Sequence, residues 1–246
     1  MELVEANGTL INTLCIGDGP PVVMVHGLFT ASLASWFFTC APEIARSHSV
    51  LLYDLRGHGR SPRTRDGYDV ATLAGDLDAL TSESAPFALV GHSYGALIAA
   101  RFTIDSPGRV TRLGLVEAPL NPAPIADLDD ELSVLADPAP DVRHNAKTPT
   151  PRTQASIRAL IRETSILSDI RSEEPLPDTC LAQIRIPVLC AYGSRSPYLD
   201  AGRHLASVIP DAHLAVLDGG HSLHVDSTSE LTRHLKALID AEDAHA

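Results

Sequence analysis

Three groups in this chain have the types and settings that chemistry needs: a serine between spaced glycines, a histidine after a glycine pair near the C-terminus, and carboxylates at strand ends. The serine is Ser93, in FALVGHSYGALIAARF, where an apolar run of strand length meets an apolar run of helical length. A GxSxG pattern at such a junction forces a strained turn that pushes the hydroxyl into the open, and the flanking positions come too close for side chains. Gly91 and Gly95 meet that requirement. A serine hydroxyl is a poor nucleophile unless a base removes its proton. His221, in LDGGHSLHVD, is placed to be that base, on a loop between a strand and the last helix. His224 lies one helical turn further on, but no third ligand stands at a metal-binding spacing, so it reads as a helix-face residue near the site. The oxyanion of an attacked carbonyl needs fixed donors. After the strand VVMV and His26-Gly27, the backbone N–H of Leu28 can point at the same place as that of Tyr94, next to the nucleophile. His26 itself reads as a residue that holds this loop.

These groups have to be carried by a scaffold that brings strand ends together. ELVEA, TLINTLCIG, PVVMVHG, SVLLYDLRG, FALVGHS, VTRLGLVEA, PVLCAYG and HLAVLDGG read as strands, and the segments around 33–47, 69–84, 94–106, 200–208 and 223–242 as helices. The alternation predicts an α/β fold: a mostly parallel, eight-stranded sheet with helices on both faces. GDGPP supplies a turn between the second and third strands. From about 121 to 183 the alternation stops. The segment is rich in Pro, Asp and Arg and too long for an ordinary connection, yet Ile157, Leu160, Ile161, Thr164 and Leu167 recur at helical spacing. A small helical cap inserted into a single domain spanning 1–246 is the expectation.

Composition narrows the partners. A net charge of −12 over 246 residues disfavours nucleic acid and anionic membranes, whose phosphates need Lys and Arg. MELVEANGTL lacks a basic stretch followed by an apolar run, and no segment approaches a bilayer span, so a soluble, cytoplasmic protein acting on a small molecule is expected. The four cysteines are scattered, without a CxxC pair, and suggest neither zinc nor a disulfide framework. Nothing in the pattern calls for a metal or an organic cofactor, and the sequence leaves the oligomeric state open.

VHGLF, YDLRGHGRS, GHSYGA and GGHSLHVD, in this order, resemble the α/β-hydrolase superfamily over essentially the full length of the chain. The resemblance implies the α/β-hydrolase fold, with the nucleophile before the histidine in the chain, and a loop-shaping role for Arg56 and His58. Many members take the acid of the triad from a GxxD pattern after a later strand; here that pattern reads Gly193, Ser194, Arg195, Ser196, and a serine cannot orient and stabilise an imidazolium. Asp200 can serve if SRSPYLD bends back. Glu117 in LGLVEAPLNP is the preferred acid, because it ends an apolar strand at the sheet edge where α/β sites lie, and because haloalkane dehalogenases, which VEAPLNP resembles, take their acid there. Those enzymes attack with aspartate, whereas Ser93 suits a carbonyl.

The expected chemistry is a serine hydrolase that cleaves a carboxylic ester or thioester of a small, largely apolar substrate through an acyl-enzyme, with Phe29, Trp36 and Tyr94 as pocket walls. Carbon–carbon bond hydrolysis, a lyase or cyclase step, and ligand binding with little turnover are the alternatives on the same residues.

Overall fold

The structure, a computed structural model, describes residues 1–122 and 150–241. Eight strands form one sheet in the order β1-β2-β4-β3-β5-β6-β7-β8. They are β1 Glu2–Ala6, β2 Thr9–Ile16, β3 Pro21–Val25, β4 Ser49–Tyr53, β5 Phe87–His92, β6 Val110–Val116, β7 Val188–Gly193 and β8 Ala212–Leu217. β1 pairs antiparallel with β2, and β2 antiparallel with β4, while the six strands from β3 to β8 are mutually parallel.

Because side chains alternate across a strand, the apolar runs feed two cores. Val23, Val25, Leu89, Leu113 and Leu115 enter one, while Val22, Met24, Val90, Val116 and Leu189 enter the other. Helices α3 (Val70–Thr81) and α4 (Tyr94–Asp105) cover the first face; α1 (Ala34–Phe37) and α2 (Ala41–Ile44) lie on the second. α3 starts where Asp69 accepts the Thr72 N–H at 2.8 Å, a side-chain cap of the first turn.

The connection between β6 and β7 carries α5 (Pro151–Glu163), α6 (Ile166–Ser172) and α7 (Asp178–Leu181), and Leu160, Ile166, Ile170 and Leu181 are buried in the first core. Residues 123–149 of the expected cap lie outside the described residues. The helical spacing read across Thr164 is broken, since Thr164 is extended and the Ser165 N–H leaves the helix to donate to the Arg65 carbonyl at 2.9 Å. After β7 come α8 (Leu199–Val208) and, beyond β8, α9 (Leu223–Asp226) and α10 (Thr228–Ile239). The single helices expected over 33–47 and 223–242 are thus each two pieces.

Strand order sets the position of the site. The chain goes from β3 to β4 on one side and returns with β5 on the other, so a crevice opens between the C-terminal ends of β3 and β5. No helix among the described residues is long and apolar enough to cross a membrane.

Candidate active site

The site occupies the C-terminal ends of five neighbouring strands, β3, β5, β6, β7 and β8, each of which delivers one part. From β5 comes Ser93, at φ 55° and ψ −124°, a positive-φ backbone that a non-glycine residue adopts only under constraint. The constraint is packing. A Cβ on Gly91 would lie 2.2 Å from the Gly95 carbonyl oxygen, and one on Gly95 would lie 2.4 Å from that of His26. Only two bare glycines let the strand, the turn and the loop after β3 meet, and the Ser93 N–H is anchored to the Val116 carbonyl at 2.8 Å.

β6 ends one residue before Glu117, which also turns left-handed, at φ 56°. This turn, tied by the Glu117 N–H to the Ala191 carbonyl at 3.0 Å, buries the carboxylate completely beneath the histidine loop. A buried carboxylate is costly unless its oxygens are satisfied. Oε1 accepts the Gly193 N–H at 2.6 Å; Oε2 accepts the Ser196 hydroxyl in a very close contact and His221 Nδ1–H at 3.1 Å.

His221 follows β8, and its Nε2 lies 3.0 Å from Ser93 Oγ. An ionised carboxylate only accepts, so the ring proton sits on Nδ1 and Nε2 is free to take the serine proton. Exposure rises from acid to base as proton transfer requires, with the carboxylate fully buried and the His221 side chain 35% exposed. Two further contacts fix the imidazole. His92 Nε2–H donates to the His221 carbonyl at 2.9 Å, and the Tyr198 ring meets the imidazole edge-on with centroids 4.9 Å apart.

The loop after β3 approaches Ser93 directly: a Cβ on Gly27 would lie 3.1 Å from that of Ser93. Among the described residues the Leu28 N–H meets no acceptor, and the Tyr94 N–H belongs to the first turn of α4, whose donors lack intrahelical partners. The DLRGHGRS segment holds this loop. His26 Nε2 accepts the Leu55 N–H at 3.0 Å, His58 Nε2 accepts the Phe29 N–H at 2.8 Å, and Asp54 accepts from Leu33 N–H, Asn12 and Arg60 N–H at 2.7 to 2.9 Å. Arg56, buried against Asp76, anchors the segment itself.

Two expectations need correction. Asp200 is not at the site: its side chain is 92% exposed in the first turn of α8 and pairs with Arg203 at 2.6 Å, because the turn through Ser196 carries the chain outward before the helix begins. Trp36 and the Tyr94 side chain are core residues, not pocket walls. Trp36 lies on the second face against His92 and His224, and the Tyr94 hydroxyl donates to the Tyr68 carbonyl at 3.1 Å on the first. Phe29 does line a cavity of about 230 Å³, with Thr30, Ser32, His58, Arg152 and Ser156. His92, Asp54 and Ser196 had no role assigned from sequence. His92 and Asp54 stand inside the GHSYGA and YDLRGHGRS motifs, but only their contacts give them one.

Burial keeps several imidazoles neutral. Desolvation, and then the neighbouring His58, lowers His26 to about 3; desolvation, and then His221, lowers His224 to about 4; burial also pushes His58 and His92 down. Unfolded histidines titrate near 6.5, so below that pH the unfolded chain binds more protons and stability falls. For His26 and His224 the contribution is complete above pH 6.5 and is lost progressively towards pH 4, with a slope on the order of 1.4 kcal/mol per pH unit for each. Thermal unfolding followed from pH 7.5 to 5 is expected to show a steep fall in Tm, which His224→Gln makes shallower. An equal slope in that variant would contradict the assignment.

Comparison with known proteins agrees with this fold. A family model described as alpha/beta hydrolase fold matches residues 20–139. The chain is 38% identical over 124 residues to a 2-hydroxy-6-oxo-2,4-heptadienoate hydrolase of Pseudomonas putida, covering 48% of this chain and 44% of that protein. It spans less than half the length of the curated relatives it matches. Among solved structures it superposes on the enol-lactonase of Burkholderia xenovorans LB400 with TM-score 0.79 at 20% identity, over 98% of this chain and 100% of that one. The esterase RhEst1 of Rhodococcus sp. ECU1013 gives 0.77 at 24%, over 98% of both chains.

Proposed function

We propose that this chain, which has the α/β-hydrolase fold, is a serine hydrolase cleaving a small carboxylic ester or thioester through an acyl-enzyme. The observation that carries this reading is the continuous chain from Glu117 through His221 to Ser93, at 3.1 and 3.0 Å, ending on a hydroxyl held at a strained turn. In the proposed cycle Ser93 Oγ attacks the carbonyl carbon as His221 Nε2 takes its proton. The Leu28 and Tyr94 N–H groups hold the oxyanion, and Glu117 stabilises the imidazolium. His221 then gives the proton to the leaving oxygen or sulfur as the bond to carbon breaks. A water, deprotonated by the same nitrogen, releases the acid and restores the serine. The cap segment and the cavity beside Phe29 are proposed to select the acyl and leaving groups.

Carbon–carbon bond hydrolysis is a second reading, favoured by the 38% identity to a hydrolase whose name specifies an oxo-dienoate. The two readings separate by substrate. Short-chain p-nitrophenyl esters and acyl thioesters are expected to be turned over with an initial burst of one leaving group per chain as the acyl-enzyme fills. Hydrolysis of a vinylogous 1,5-diketone with no turnover of any ester or thioester would replace the first reading by the second.

A further inference from the structure

The structure assigns Ser196 as a positioning residue for the acid: its hydroxyl holds Glu117 Oε2 beneath His221. The assignment rests on the proposed triad and deepens it.

The donor direction follows from the contacts. Ser196 Oγ accepts the Tyr198 N–H at 3.0 Å, and an ionised Glu117 can only accept, so the hydroxyl proton points at Oε2. That oxygen also receives His221 Nδ1–H at 3.1 Å, while Oε1 is taken by the Gly193 N–H at 2.6 Å. The turn from Gly193 to Tyr198 therefore grips the carboxylate from two sides and leaves one lone pair aimed at the imidazole. The turn is itself closed by the Ser196 N–H bonding to the Gly193 carbonyl at 3.0 Å. A hydrogen bond to a charged acceptor in a dry site is stronger than a neutral one, and it fixes orientation as well as energy. The other titratable groups around His221 are His92 from β5, Tyr198 before α8, and His224 and Asp226 on α9.

The test compares the natural protein with Ser196→Ala and Ser196→Thr. Two readouts apply: kcat on a p-nitrophenyl ester, and the far-downfield proton resonance of His221 Nδ1–H bonded to a carboxylate, which requires no turnover. Ser196→Ala is expected to lower kcat about tenfold, as loss of a charge-assisted hydrogen bond does, and Ser196→Thr to restore it. The resonance is expected to shift or broaden in Ser196→Ala and to return in Ser196→Thr, because the hydroxyl and Nδ1–H share Oε2. Ser196→Ala at the wild-type rate, or with the resonance unmoved, overturns the assignment. If the natural protein hydrolyses no ester, the functional reading fails, but the resonance still decides the role of Ser196.

Discussion

Replacing Ser93 by alanine is expected to lower kcat on esters by about 10⁶, and His221→Ala by a similar factor, since nucleophile and base act as one unit. Combining the two substitutions is expected to cost little more than either alone. The reason lies in the 3.0 Å contact between Ser93 Oγ and His221 Nε2: without the base the hydroxyl stays protonated, and without the hydroxyl the base has nothing to activate. Residual rates in both variants reflect the Leu28 and Tyr94 donors and substrate binding. A Ser93→Ala protein at more than about one hundredth of the natural rate would remove the covalent mechanism altogether.

Glu117→Gln is expected to lower kcat by about 10⁴ with the fold retained, whereas Asp200→Asn stays within about twofold of the natural protein. Glutamine keeps the shape but brings an NH₂ where Oε2 now accepts from both Ser196 and His221. To avoid donor facing donor, the imidazole proton moves from Nδ1 to Nε2, where it confronts Ser93 and blocks proton transfer. The stabilising charge is lost as well. Asp200 meets none of these groups, being solvated and paired with Arg203. Kinetics of the two variants on one ester, with circular dichroism to confirm folding, decide between the two carboxylates. Equal losses in both would be incompatible with the geometry.

Much of this arrangement is legible in the sequence because it is local. GHSYG states its own turn, and the strand-and-helix alternation states a parallel sheet whose C-terminal edge gathers Ser93, Glu117 and His221. Glu117 is readable as the acid because an apolar strand ends directly before it, although the positive φ that aims it inward is not. The unreadable parts depend on contacts between distant segments. Ser196 acquires its role from a carboxylate 79 positions away, and His92 from a carbonyl 129 positions away. Trp36 could not be placed, because its side of the sheet is set by how two very short helices pack, and only Pro42 in the first turn of the second helix marks the break between them. The Phe29 backbone is pinned by His58, whose neutral ring is a consequence of burial that no linear pattern displays.

The whole mechanism depends on Ser93 being an activated nucleophile, and intact-mass spectrometry after brief exposure to a fluorophosphonate reads that property without a substrate. The natural protein is expected to gain a single adduct within minutes, Glu117→Gln to gain it far more slowly, and Ser93→Ala to gain none. An unlabelled natural protein, or an adduct that persists in Ser93→Ala, would contradict the mechanism.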